Sequence, residues 1–170
     1  EPVEEEVIDC DAHIREEIDD LIPYMEESEE KRYAESEYFG YPSDGWDRSA
    51  GGRSGYASVE GPEDEREVME RFGLDTAVIT PTRNLYHGLI GNRDVANELC
   101  RAYNRYLMDT WLDAGNLFKG TVLVPVQDPE VGAEEIDKYG QKDDVVGVFL
   151  NPVGPEKALG DQRYEPIYEA

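Results

Sequence analysis

Positive charge is scarce in this chain. Sixteen lysines and arginines face forty aspartates and glutamates, and lysine is the rarer of the two cations. A basic footprint for nucleic acid is therefore missing, and so is a polybasic membrane patch. Long apolar runs are absent too, and none approaches the roughly 20 residues a membrane span needs. The opening Glu1-Pro2-Val3-Glu4-Glu5-Glu6 is acidic, unlike the basic start of a signal peptide. There are only two cysteines, Cys10 and Cys100, with no C-x-x-C spacing. That excludes a zinc ribbon, a dithiol redox motif and a disulfide scaffold, and leaves both as small buried apolar residues. No short internal repeat occurs. No EF-hand spacing appears among the carboxylates. Gly51-Gly52-Arg53-Ser54-Gly55 lacks the preceding strand and the Lys-Ser/Thr ending of a phosphate loop, so it reads as flexible connection.

What remains suffices for a folded protein. Apolar residues make up 39% of the 170, enough to bury a core and too many for plain disorder. The length fits one domain or part of a larger one. The net charge of -24 is spread from end to end, where an acidic interaction segment would be confined to one tail. Self-repulsion of this size destabilises a compact chain at low salt and is screened at high salt. The composition therefore points to a halophilic cytoplasm, with an ordinary acidic protein as the alternative.

Helical and extended periodicities alternate along the chain. Val7–Asp11 reads as a short strand, and an acidic, partly helical stretch follows, with Ile18, Leu21, Ile22 and Met25 at helical spacing and Pro23 interrupting. Residues 33–60 read as a long loop insertion, of a length usually reserved for a lid or a binding wall. Pro62 opens a helix with Val68, Met69 and Phe72 on its apolar face and Gly73 at its end. Ala77–Thr80 is the second strand. Residues 94–114 form the strongest helix, with Val95, Leu99, Ala102, Tyr103, Tyr106, Leu107 and Trp111 on one face. Thr121–Val124 is the third strand. Asp128-Pro129 caps a helix with Ala133, Ile136 and Tyr139 inward, Val145–Leu150 is the fourth strand, and Tyr164–Tyr168 begins a last helix. Continuously apolar strands alternating with helices mean a parallel α/β sheet covered on both faces. Two architectures satisfy the pattern: an open doubly wound sheet, or half of a (β/α)8 barrel, since a whole barrel takes roughly 250 residues.

The first strand ends in Asp9-Cys10-Asp11-Ala12-His13. Strict alternation puts Asp9, Asp11 and His13 on one face, at the carboxyl end where parallel α/β sheets carry their sites. A carboxylate and a neutral imidazole two residues apart can share one divalent cation. The competing reading is a solvated acidic strand end with an incidental histidine.

From Val7 to His13, then Leu21-Ile22-Pro23-Tyr24-Met25-Glu26-Glu27, the sequence resembles the amidohydrolase-related superfamily, in the branch containing aminocarboxymuconate-semialdehyde decarboxylase. Phe72–Pro81, Ala102–Leu107, Leu123–Pro129, Gly147–Pro152 and Tyr164–Tyr168 continue the likeness in the right order over nearly the whole chain. The resemblance implies the amino-terminal half of a (β/α)8 barrel with parallel strands, spanning 1–170. It also implies a mononuclear metal centre whose first-strand pair maps onto Asp11 and His13. Zn²⁺ is the first expectation for the metal and Mn²⁺ the second. The family's remaining ligand histidine comes from a fifth strand and its catalytic aspartate from an eighth, so half of the metal shell is not expected within these residues. A metal of this kind lowers the pKa of water toward ~7 and polarises a substrate oxygen. The resemblance thus implies hydrolysis or decarboxylation of a small carboxylate or carbonyl compound.

Three further residues are candidates for substrate binding. Arg83, in the loop after the second strand, can hold a carboxylate, or pair with local acids as a surface arginine. His87, in the same loop, lines the pocket or is an exposed loop histidine. Asn151, just past the fourth strand, contacts substrate or caps a turn. The expected partners are a small-molecule substrate and either a second copy of the chain or a complementary carboxy-terminal half. A non-catalytic half-barrel that pairs to complete eight strands is the alternative to an enzyme. An open-sheet protein whose Asp-x-His is incidental is the third reading.

Overall fold

The computed structural model describes residues 5–26, 28, 31, 34, 59 and 61–170. The expected loop insertion over 33–60, with its glycine-rich stretch, lies outside the described residues apart from Ala34 and Val59. Four strands, β1 (Ile8–Ile14), β2 (Thr76–Pro81), β3 (Phe118–Val124) and β4 (Val145–Leu150), form one parallel sheet in the order β1-β2-β3-β4. Each crossover therefore steps in the same direction. Right-handed crossovers that never reverse place every helix on one side of the sheet. A doubly wound sheet needs a reversal, and none occurs. The architecture is half of a (β/α)8 barrel.

The contacts of β3 show which side the helices take. Trp111 meets Phe118 edge to face at 5.6 Å between ring centroids, and the Arg66 guanidinium lies 5.5 Å from the centre of the same ring. Gly120 and Val124 share that face by alternation. A β-carbon on Gly120 would sit 3.0 Å from the Leu107 side chain, so the glycine lets the helix approach closely. Lys119, Thr121 and Leu123 belong to the opposite, barrel-interior face.

The helices around the sheet include α1 (Ile18–Leu21), α2 (Pro62–Phe72), α3 (Arg93–Tyr106), α4 (Pro129–Tyr139) and α5 (Glu165–Glu169). Glu63, Asp64 and Glu65 occupy the first turn of α2. Gly73, at φ 67°, ends that helix, and the Leu74 N–H bonds the Met69 carbonyl at 2.9 Å. Its inward face differs from the expected one: Phe72 is 51% exposed, while Glu65 and Met69 are buried. Arg66 sets this rotation by reaching across to the Ala114 carbonyl and the Phe118 ring. Asn92 caps α3 by accepting from the N–H groups of Asp94 and Val95. Asp128 stands at the start of α4 without capping it, because its carboxylate accepts from Asn97 Nδ2 at 2.9 Å instead.

The residues expected to continue α3 to 114 depart from an α-helix. Leu107–Trp111 form a π-type turn and Leu112–Ala114 a 3₁₀ turn. Each is short, and the change of phase brings Leu107, Met108, Trp111 and Leu112 all into the core. Among the described residues, no helix is long and apolar enough to cross a membrane.

Candidate metal and substrate site

The end of β1 departs from simple alternation. Its pairing with β2 runs Asp9 to Ala77 and then Ala12 to Ile79, so a bulge lies between Asp9 and Ala12. Asp9 Oδ1 accepts the Asp11 backbone N–H at 2.9 Å and braces the bulge. Its charge also acts on Glu65 of α2. Asp9 thus leaves the face on which Asp11 and His13 meet, which corrects the expectation that all three share it. The exposed Cys10, at the bulge on an edge strand, corrects the reading of both cysteines as buried. Cys100 is fully buried as expected.

Asp11 and His13 come together. His13 Nε2 lies 3.2 Å from Asp11 Oδ1, and His13 Nδ1 lies 2.9 Å from the Pro81 carbonyl oxygen. A carbonyl only accepts, so Nδ1 carries a hydrogen, and the neutral form of the ring then has its lone pair on Nε2. That lone pair faces a carboxylate oxygen. Two acceptors at this separation need a positive species to share, either a proton or a cation. Donors held about 2.1 Å from one metal are separated by about 3.0–3.4 Å at angles between octahedral and tetrahedral, so the observed spacing fits a shared divalent ion. The bond from Nδ1–H to a backbone carbonyl is the usual outer support of a metal-binding imidazole. The Asp11 side chain is 89% exposed and that of His13 26%, so the pair lies on an open face. Among the described residues, no group of three His, Cys, Asp or Glu side chains is placed to hold a metal.

The loop after β2 borders this pair. The Thr82 hydroxyl lies 3.4 Å from His13 Nδ1. Arg83, the next residue, donates to Glu17 Oε1 at 2.7 Å, which orients its guanidinium beside the loop after β1. Glu16 is completely buried under this loop. Its carboxylate accepts from Thr82 N at 3.0 Å, Asn84 N at 2.8 Å and Asn84 Nδ2 at 3.0 Å. Burial pushes its pKa up to about 7, against the pull of those donors. Sequence reasoning missed Glu16, because a glutamate in an acidic helix approach carries no local mark of burial.

The other candidates are more enclosed. His87 is buried, where an exposed loop histidine was the alternative. Its Nε2 donates to the Ala96 carbonyl at 2.8 Å, tying the loop to α3, and burial lowers its pKa to about 4. Asn151 is fully buried, donates from Nδ2 to the Asn84 carbonyl at 3.2 Å and leaves Oδ1 without a partner among the described residues. It therefore joins the loop after β4 to the loop that carries Arg83. A cleft of about 450 Å³ opens beside these loops, lined by Gly88, Ile90, Arg93, Gln127, Glu156 and Arg163 among others, and neither Asp11 nor His13 borders it.

Known proteins share this fold. The family model described as Amidohydrolase matches residues 8–170, and the chain belongs to that family. A search of curated proteins finds no match. Among solved structures, the fold resembles 5-carboxyvanillate decarboxylase from Novosphingobium aromaticivorans. A variant of that enzyme with bound manganese and 3-methoxy-4-hydroxy-5-nitrobenzoic acid superposes with a TM-score of 0.65 at 18% identity, covering 96% of this chain and 47% of that one. A second structure of the enzyme, with manganese and 4-hydroxy-3-methoxy-5-nitrobenzoic acid, gives the same TM-score and identity over 46% of its length. The chain thus spans about half the length of these structures.

Proposed function

We propose that this chain is the amino-terminal half of a metal-dependent decarboxylase or hydrolase acting on a small carboxylate or carbonyl compound. Asp11 and His13 serve as two ligands of a divalent cation. The observation that carries this reading is the Nε2 lone pair of His13 turned onto the Asp11 carboxylate at 3.2 Å, with the opposite ring nitrogen committed to Pro81. The manganese in the decarboxylase structures supports Mn²⁺ beside Zn²⁺, and their nitrobenzoic acids support an aromatic carboxylate as the substrate class. When bound, such a cation polarises a substrate oxygen or lowers the pKa of water. The chain's own residues supply the rest of what is present. Asp11 brings negative charge, His13 a neutral donor of fixed tautomer, and Arg83 a guanidinium held by Glu17 at the rim, where it can take a substrate carboxylate.

A second reading, a non-catalytic half-barrel that pairs with a copy of itself or with a complementary half, draws on the two sheet edges. Among the described residues β1 and β4 each pair on one side only, and Ile8, Val146 and Val148 are exposed along them. One experiment addresses both readings. Mn²⁺ is titrated into the 170-residue chain in molar KCl, which screens diffuse binding to acidic surface. Free ion is read by electron paramagnetic resonance and the mass of the species by light scattering. Weak one-site binding, lowered at least about tenfold in His13→Ala and in Asp11→Asn, is expected, with no turnover by this chain alone. Equal binding by all three proteins would overturn the metal site. Binding confined to a dimer would favour the second reading.

A further inference from the structure

We infer that Glu16 is a positioning residue that acts on His13 through a single peptide group. The inference rests on the reading of His13 as a metal ligand. The Pro81 carbonyl that accepts from His13 Nδ1 at 2.9 Å and the Thr82 N–H that donates to Glu16 Oε2 at 3.0 Å are the two ends of the same peptide unit. A peptide unit is planar, and this one is trans, so its C=O and N–H point in opposite directions. Fixing the N–H fixes the carbonyl. The buried carboxylate, the peptide and the imidazole therefore form one line that ends at Nε2, the atom facing Asp11. In metal sites a carboxylate commonly bonds the ligating histidine directly, sets its tautomer and raises its basicity. Here the carboxylate stands one peptide further back.

Three details support this arrangement over a plain loop anchor. The second oxygen of Glu16 holds both the N–H and the side-chain amide of Asn84, so the peptide plane is gripped from both sides of Arg83. Glu16 is entirely shielded from water, where its field on the peptide dipole is strongest. The Thr82 hydroxyl lies 3.4 Å from Nδ1, too far to compete with the Pro81 carbonyl for the ring N–H.

The test uses the 170-residue chain labelled with ¹⁵N, at pH 8 and without metal. The imidazole resonances of His13 report its tautomer and its hydrogen bonding. The expected result is an Nδ1–H tautomer in the natural chain, and displaced ring nitrogen signals in Glu16→Gln. Thr82→Val, which keeps the peptide and removes only the hydroxyl, should leave both unchanged. Mn²⁺ affinity should fall about tenfold or more in Glu16→Gln. Unchanged His13 resonances in a folded Glu16→Gln, or a Thr82→Val effect of the same size, would overturn the proposal. Should Glu16→Gln fail to fold, the natural chain still decides: a scalar coupling across the hydrogen bond between the Thr82 amide nitrogen and the Glu16 carboxyl carbon is required, and its absence refutes the relay. The ring signals are read without metal. A displaced His13 in a chain that binds no Mn²⁺ would therefore uphold the relay while rejecting the metal site.

Discussion

Glu16 and His87 are both sealed from solvent, and burial drives each toward its neutral form from opposite directions. Glu16 rises from 4.5 to about 7 and His87 falls from 6.5 to about 4. Between about pH 4.5 and 7 the folded chain holds the Glu16 proton while the unfolded chain releases it, so this contribution to stability is present below 4.5 and lost as pH rises through 7. His87 behaves the other way. Its contribution is complete above 6.5 and disappears as pH falls through about 4, because the unfolded ring takes up a proton that the folded ring refuses. Glu16→Gln cannot ionise. Relative to the natural chain it should gain up to about 3 kcal/mol between pH 4.5 and pH 8 in urea unfolding. An identical difference at both pH values would mean that Glu16 titrates normally.

Asn104 shows at the level of elements how α3, β3 and α4 are held together. Its side chain pairs with β3 like a neighbouring strand, accepting from Leu123 N at 2.9 Å and donating to Leu123 O at 2.9 Å. The same amide reaches Glu135 of α4 at 2.9 Å, a buried carboxylate also approached by Arg101 and Lys138. Asn104→Leu would strand a buried N–H, a buried C=O and part of a buried charge. It should cost about 3 kcal/mol or more in urea unfolding, well above the effect of a surface substitution. The helix itself was legible in the sequence, because its apolar stripe is a local signal. The turn of phase after Tyr106 was not, since it answers to Gly120 and Phe118, which lie on another element. The rotated face of α2 has a similar origin in Arg66.

For the whole molecule, charge and open sheet edges dominate. A net charge of -24 on 170 residues opposes compaction wherever salt does not screen it. The thermal midpoint should rise by more than about 5 °C between low salt and molar KCl, read by circular dichroism. A flat or falling midpoint would reject the halophilic reading and leave an ordinary acidic protein. Among the described residues β1 and β4 are paired on one side, and Val148 of β4 lies in register with the buried Val122 of β3. Such edges are where a further strand could pair.

Apolar periodicity alone laid out four strands, the helices between them and an aspartate and histidine at the mouth of the first strand, because each depends on residues within a few positions of one another. Other features waited for the folded chain. Local patterning allowed a doubly wound sheet as readily as a half-barrel, and the choice rests on strands always stepping the same way. The bulge that turns Asp9 aside, the burial of Glu16 and His87, and the peptide joining Glu16 to His13 all arise where β1 meets β2 or a loop meets a helix. The partners of Glu16 lie 66 and 68 residues away in the chain. Water exclusion at such a distance leaves no mark on neighbouring residues, so a buried carboxylate there reads the same as a solvated one.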